Sequence, residues 1–217
     1  MSISISKRVH ETVSAGRKRA FDKAEALDKA MRVFWNNGYS GTSLKDLTEA
    51  LGINKPSLYA AFGNKEQLFA KALEHYLSGY GAPLLDLLTH PEDAPFGERL
   101  RAYLRGIVGL VTESESPQGC LYVKSCCESG GAAMPEEISA SLKGMGSATE
   151  QALTERLVSE QERNQLSPQA DPKEIAGYLL SLMYGLTVLA RRGKPRKELE
   201  AIVDFSIAAF PHGCGKR

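Results

Sequence analysis

Long hydrophobic runs are missing from this sequence. No apolar stretch reaches the roughly 18 residues needed to cross a bilayer, so no membrane association is expected. The opening MSISISKRVHETVSAGRKRA lacks the continuous apolar core of a secretion signal. Cysteine is scarce: four residues, two of them adjacent, do not make a disulfide framework in a chain of 217. The expected location is therefore the reducing cytoplasm. His10, His75, His90 and His212 stand at no ligand spacing with the cysteines, so no metal is expected. There is no Gly-rich phosphate loop and no His/Asp/Ser constellation, so no cofactor is expected and a helical enzyme is only a remote alternative. Net charge is almost lacking too, at +1. Its distribution is uneven: residues 1–75 hold 12 Lys/Arg against 8 Asp/Glu, net +4, and the remainder 15 against 18, net −3. The positive end is the end that carries the motif described next.

What is present is helix. The periodicity predicts an all-α chain of about nine helices, with three short ones at the N-terminal end. In the stretch 42–65, TSLKDLTEALGINKPSLYAAFGNK, Leu44, Leu47 and Leu51 mark one face of a two-turn helix. Gly52 supplies the left-handed stop, Asn54 can cap the next helix, and Pro56 suits its first turn. Two helices joined through such a turn form a helix-turn-helix. Lys55 and Lys65 each sit in a first turn, where the helix dipole disfavours a cation unless a phosphate is also there. Lys55, Pro56, Ser57 and Tyr59 are the candidate groove contacts, and Lys65 a candidate phosphate contact. The bland alternative is a small helical hairpin with incidental lysines.

Ahead of the motif, residues 22–37 predict a helix with Leu27, Ala30, Met31, Phe34 and Trp35 on one stripe. On that stripe Trp35 reads as core rather than as a ligand-stacking group. Residues 1–20 have no apolar period; Arg17, Lys18 and Arg19 close them as either a DNA-contacting basic arm or a solvated tail. Thr42 or Ser43 caps the first helix of the motif, with Asp46 three residues past Ser43.

The run FDKAEALDKAMRVFWNNGYSGTSLKDLTEALGINKPSLYAAFGNKEQLFAKAL resembles the DNA-binding domain of the tetracycline-repressor (TetR) family. The matching features are F-W-x-x-G-Y-x-G-T-S, LGINKPSLYAAF and G-N-K-E-Q-L-F, over about a quarter of the chain. The resemblance implies a sequence-specific, homodimeric transcriptional regulator, a repressor of double-stranded operator DNA. It implies a basic arm at 1–20, a DNA-binding domain at 21–66 and a ligand-binding and dimerisation domain at 67–217. It places Thr42 and Ser43 near phosphates and makes the helix after Asn64 the link to the ligand domain. An unidentified small-molecule inducer would tilt that link.

Beyond residue 66 the pattern is again helical. Leu68, Phe69, Ala72, Leu73, Tyr76 and Leu77 give a broad apolar face, which Gly81-Ala82-Pro83 is expected to break or bend. Helices follow over 98–113, within CLYVKSCCESGG, from Pro135 to about residue 164, over 173–192, and at the end. The last two are apolar on several sides, with Gly177, Ser181 and Gly185 in a small-residue row. Pairing of these two with their copies, as the family implies, stands against their burial within one subunit.

A pocket is expected among the helices after residue 98, with Tyr103, Cys120, Tyr122, Cys126, Cys127, Met134, Met145, Tyr178, Met183 and Tyr184 as lining. Each of these also fits a core role. The cysteines have two readings: small core residues, or a thiol that oxidants or alkylators modify, so that Cys120 or a neighbour replaces the reversible ligand as the switch. Cys120 is the preferred thiol because it follows Pro117-Gln118-Gly119 at a helix N-terminus, with Lys124 nearby. Cys214, on a Gly-rich tail, reads as idle.

Overall fold

The computed structural model describes residues 22–114 and 116–211. Arg17, Lys18, Arg19 and Cys214 lie outside the described residues. Every element among them is helical, in the order α1 (Lys23–Asn37), α2 (Leu44–Leu51), α3 (Lys55–Phe62), α4 (Lys65–Tyr76), a π-turn (Leu77–Gly81), α5 (Ala82–Thr89), α6 (Phe96–Thr112), α7 (Leu121–Glu128), α8 (Glu136–Glu162), α9 (Pro172–Arg191) and α10 (Arg196–Ala208).

The three N-terminal helices stop and start where their caps dictate. Asp22 accepts from the Ala24 N–H to open α1. Ser43 and Asp46 form a reciprocal capping box on α2, and Asn64 with Gln67 does the same for α4. Such caps are each worth about 1 kcal/mol. Gly52 ends α2 at φ 66°, a conformation that costs a side chain but not glycine. The α1 stripe is buried at Ala30, Met31, Phe34 and Trp35. Phe34 meets Phe69 edge-on at 5.1 Å, and Trp35 meets Tyr76 at 4.8 Å. Trp35 is therefore core.

Of the break or bend expected at Gly81-Ala82-Pro83, there is no break. The chain continues from α4 into α5 through the π-turn, where the Ala82 N–H reaches back to the Leu77 carbonyl. Proline cannot donate, and its ring crowds the carbonyl four residues earlier. One widened turn relieves that crowding while keeping a continuous rod over 65–89. With that rod counted once, the described residues form nine helices.

Two apolar cores share the molecule. One gathers α1–α4 with Leu121, Met134, Ile138 and Leu142 from α7, α8 and the loop between them. The other gathers α5, α6, α9, α10 and the C-terminal half of α8. Cys120 packs against both. In the second core Arg99 is fully enclosed, donating to the carbonyls of Leu88 (2.8 Å) and Ala94 (3.0 Å) and to Glu160 (2.8 Å). This buried pair ties the α5–α6 loop to α8, with Arg156 also 2.6 Å from the Glu160 carboxylate; removing Glu160 would leave the enclosed Arg99 charge uncompensated. Among the described residues no helix is long and apolar enough to cross a membrane.

Candidate DNA-binding head and ligand cavity

Helix α3 stands out from the head. Its buried side, Leu58 and Phe62, anchors it to the core, and Lys55, Pro56, Tyr59 and Ala60 face solvent. Ser57 is half-buried, and its N–H is taken by the Asn54 cap at 2.9 Å. Tyr59 is 46% exposed, large for an aromatic ring without a structural partner, and suits a groove contact. Ser43 is exposed at the start of α2. Lys65 lies at the start of α4 with its ammonium 4.2 Å from the Tyr39 ring centre. Burial pulls the Lys65 pKa down, opposed by Glu66, Glu128 and Asp46.

Thr42 is placed differently from expectation. It is 2% exposed, and its hydroxyl donates to the Gly38 carbonyl at 2.6 Å. The cap is Ser43 alone, and the Thr42 side chain holds the α1–α2 turn from inside. A hydroxyl used in that way is turned away from a phosphate outside.

The second site is a cavity of about 340 Å³ between the end of α4, α5, α6, α7, α8 and α9. Of the expected lining residues, Tyr103, Cys120, Tyr122, Met145, Met183 and Tyr184 are present. Four are elsewhere. Met134 is buried in the head-side core, and Cys127 is exposed on the far side of α7. Cys126 borders a separate groove toward α8, and Tyr178 is on the outer face of α9. Cys126, Cys127 and Tyr178 each share a helix with a lining residue but are rotated off its face, which single-helix periodicity does not resolve; Met134 lies in the α7–α8 loop. Tyr76, Thr149 and Thr187 also line the cavity; Tyr76 and Thr149 fall on apolar helix faces that read simply as core, and Thr187 is a polar residue within an otherwise apolar helix.

Among the described residues every lining side chain is uncharged. Cys120 lies deep in the molecule and keeps some accessible surface. Burial pushes its thiol pKa up, against the pull of the Tyr76 hydroxyl and the N–H groups of Val123 and Tyr122. Lys124, expected to activate the thiol, is engaged elsewhere.

That engagement joins the two sites. Lys124 donates to the carbonyls of Trp35 (3.3 Å) and Asn36 at the end of α1. Glu128, one turn further along α7, accepts from the Ser40 N–H at 2.9 Å. The Trp35 indole N–H donates to the Gly119 carbonyl at 3.0 Å. A lysine on terminal carbonyls complements the α1 dipole. Helix α7 thus has one end on the cavity and the other on the turn that leads into α2. Nothing in the spacing of Lys124 and Glu128 announced this.

Comparison with known proteins decides the family. Residues 26–72 match the description "Bacterial regulatory proteins, tetR family" and residues 97–205 match "Tetracyclin repressor-like, C-terminal domain". The HTH-type transcriptional repressor ComR of Escherichia coli (strain K12) is 33% identical over 202 residues, 91% of this chain and 93% of ComR. The chain belongs to the tetracycline-repressor family. A solved structure of the family regulator CifR, carrying cysteine substitutions and bound to 26-bp double-strand operator DNA, is 38% identical with a TM-score of 0.81. It covers 90% of this chain and 100% of that chain. The reduced form of E. coli NemR, 20% identical with a TM-score of 0.75 over 89% of this chain and 98% of its own, shares the fold. This TetR-family regulator is a DNA-binding transcription factor, which sets the enzyme alternative aside.

Proposed function

We propose that this regulator is a cytoplasmic homodimeric repressor released from its operator when an uncharged small molecule fills the α4–α9 cavity. The division of labour follows the chain: an arm at 1–20 and a head at 21–66 on DNA, and 67–217 for ligand and dimerisation. At the head, Lys55, Pro56, Ser57 and Tyr59 of α3 face the major groove, and Ser43 and Lys65 take phosphates with the Arg17, Lys18 and Arg19 arm. CifR, bound to operator DNA, supports this reading by likeness. Pairing would use the outer face of α9 and α10. Phe205 there is 77% exposed and Tyr178 47%. A side chain added at Gly177 or Gly185 would meet nothing, so that row is open for close approach by a second copy.

The observation that carries the proposal is α7, with Cys120 and Tyr122 on the cavity and Lys124 and Glu128 on the α1–α2 turn. A ligand that fits only one position of α7 and α4 shifts the head by the difference in its affinity for the two positions. The test is a titration of labelled upstream DNA with purified protein, followed by uncharged hydrophobic compounds. Release at a concentration matching direct binding is the expected result, and binding without release contradicts it.

One observation favours a second reading. Cys120 borders the cavity at the N-cap of α7, so an alkylator or oxidant entering there would modify it and wedge the same helix. Release by such reagents that disappears in Cys120→Ser selects the covalent switch; release that persists in Cys120→Ser selects the reversible ligand.

A further inference from the structure

A second basic cluster lies outside the head. The seven residues 191–197, RRGKPRK, hold Arg191, Arg192, Lys194, Arg196 and Lys197. Five of the 15 Lys/Arg after residue 75 are here, and the other ten stand against 18 Asp/Glu, net −8. The cluster is a positive island on an acidic body. It forms the turn between α9 and α10, held by N–H bonds from Arg192 to Val188 (3.1 Å), Gly193 to Ala190 (2.9 Å) and Lys194 to Leu189 (3.0 Å). Part of the charge has a structural use. Arg191 and Arg192 suit the negative end of the α9 dipole. Lys194 pairs with Glu198 at 2.8 Å and Arg196 with Glu200 at 2.7 Å, surface pairs of a kind that contribute little. Arg191, Arg192 and Lys197 are exposed and form no ion pair among the described residues.

The path of the helices places this turn at the head end of the body. Helix α6 starts at the opposite end, where Phe96 packs on Phe210 with ring centres 6.0 Å apart and Ser167 donates its N–H to the Pro211 carbonyl at 3.1 Å. From there α6 runs toward the head. Near its other end the Arg196 guanidinium lies 3.8 Å from where a Cβ would sit on Gly109. The Arg191 stem crosses Gly119, where an added Cβ would be 2.4 Å from Arg191 Cγ, and the Gly119 carbonyl is the one that accepts from Trp35 of α1. The far end has the opposite sign: its loops, 90–95 and 163–171, hold Glu92, Asp93 and Asp171 against Arg163 alone. Charge is therefore polarised along the body, positive toward the head.

We propose that the 191–197 turn is a second DNA-contacting surface, in which Arg192 and Lys197 take phosphates of the backbone between the two half-sites read by the α3 helices. This rests on the pairing of α9 and α10 proposed above, which sets two copies of the turn side by side between the heads. A turn of cations with no aromatic or amide side chain beside them reads no base. The contact adds affinity at every sequence, and specificity stays with α3.

The test compares the full chain with Arg192→Gln/Lys197→Gln by anisotropy on labelled DNA from immediately upstream of the coding sequence, at several salt concentrations. Each phosphate contact given up is worth about 0.9 of salt slope, so the slope should fall by about two or more and affinity at physiological salt by roughly tenfold or more. Lys197→Gln alone should lower the slope by about one. Arg192→Lys with Lys197→Arg keeps the charge and should restore both readouts, which a structural loss would not do. Arg163→Gln with Lys173→Gln removes the same charge at the far end and should leave the slope nearly unchanged. Hydroxyl-radical footprinting locates the contact: wild type should protect two half-sites and the backbone between them, and Arg192→Gln/Lys197→Gln should leave only the centre open. An unchanged slope, an equal loss in the far-end variant, a loss that the charge-keeping variant does not restore, or two protected half-sites around an open centre in wild type overturns the contact and leaves the dimeric repressor standing. Wild type that protects a single half-site overturns the α9–α10 pairing and the central placement with it.

Discussion

Trp35 in the DNA-binding head donates its indole N–H to the carbonyl of Gly119 at 3.0 Å, and the next residue, Cys120, borders the α4–α9 cavity. The same indole packs edge-on against Tyr76, also on the cavity. The single tryptophan therefore lies one residue contact from the cavity and is part of the head's core.

Alkylation of Cys120 should change Trp35 emission, and Cys120→Ser should remove the change; steady-state fluorescence checks this. Trp35→Phe should keep the ring packing and leave the Gly119 carbonyl unpaired. A loss of about 1–3 kcal/mol is expected, read from urea unfolding followed by circular dichroism.

The head offers two kinds of loss that salt separates. Lys65→Ala should weaken binding to all sequences alike and lower the salt slope by about one. Tyr59→Ala should cost affinity for the operator more than for unrelated DNA. Glu128→Ala, remote from DNA, should loosen the α1–α2 turn through Ser40 and weaken binding with the slope unchanged. Anisotropy titrations at several salt concentrations distinguish the three.

Helix placement in the head was legible because caps and stops there are local: Ser43, Gly52, Asn54 and Pro56 each act within a turn. The pocket was legible only in part. Tyr103 and Met183 share a site that joins α6 to α9, and a one-dimensional pattern cannot tell which side of a buried helix meets an empty space. Tyr178 failed for that reason; Met134 failed because it lies in the α7–α8 loop, where no helical period applies, and packs in the head-side core. Thr42 misled because a threonine before a cap looks like a cap, whereas its hydroxyl is spent on Gly38. Lys124 looked like a thiol activator by sequence distance, but the turn of α7 carries it to α1. The π-turn stood as a break or a bend because proline within a helix ends or kinks one, and the sequence does not say which.

Phe205, the most exposed large apolar side chain among the described residues at 77%, gives a direct test of assembly. Phe205→Glu should halve the mass seen in sedimentation, with a loss of operator affinity that follows the loss of dimer. An unchanged mass would place the interface elsewhere.

The thiol chemistry has a pH signature. Burial disfavours the Cys120 thiolate and raises its pKa, so less thiolate is present at neutral pH than in a free cysteine. Iodoacetamide should label exposed Cys127 well before Cys120. The Cys120 rate should still be climbing above pH 9, where an ordinary thiol of pKa about 8.5 is levelling off. Mass spectrometry of timed, quenched samples checks both statements. A Cys120 rate that levels off where an ordinary thiol does would mean that α7 opens to solvent.

The account's central claim is that α3 presents Lys55, Pro56, Ser57 and Tyr59 to specific DNA. The most direct test is anisotropy of the purified chain on labelled DNA from immediately upstream of its own coding sequence, against unrelated DNA of equal length at physiological salt. The account predicts a preference of about a thousandfold or more for the upstream fragment, reduced by Tyr59→Ala in a folded protein. Equal affinity for both fragments, or a preference that Tyr59→Ala leaves intact, would contradict it.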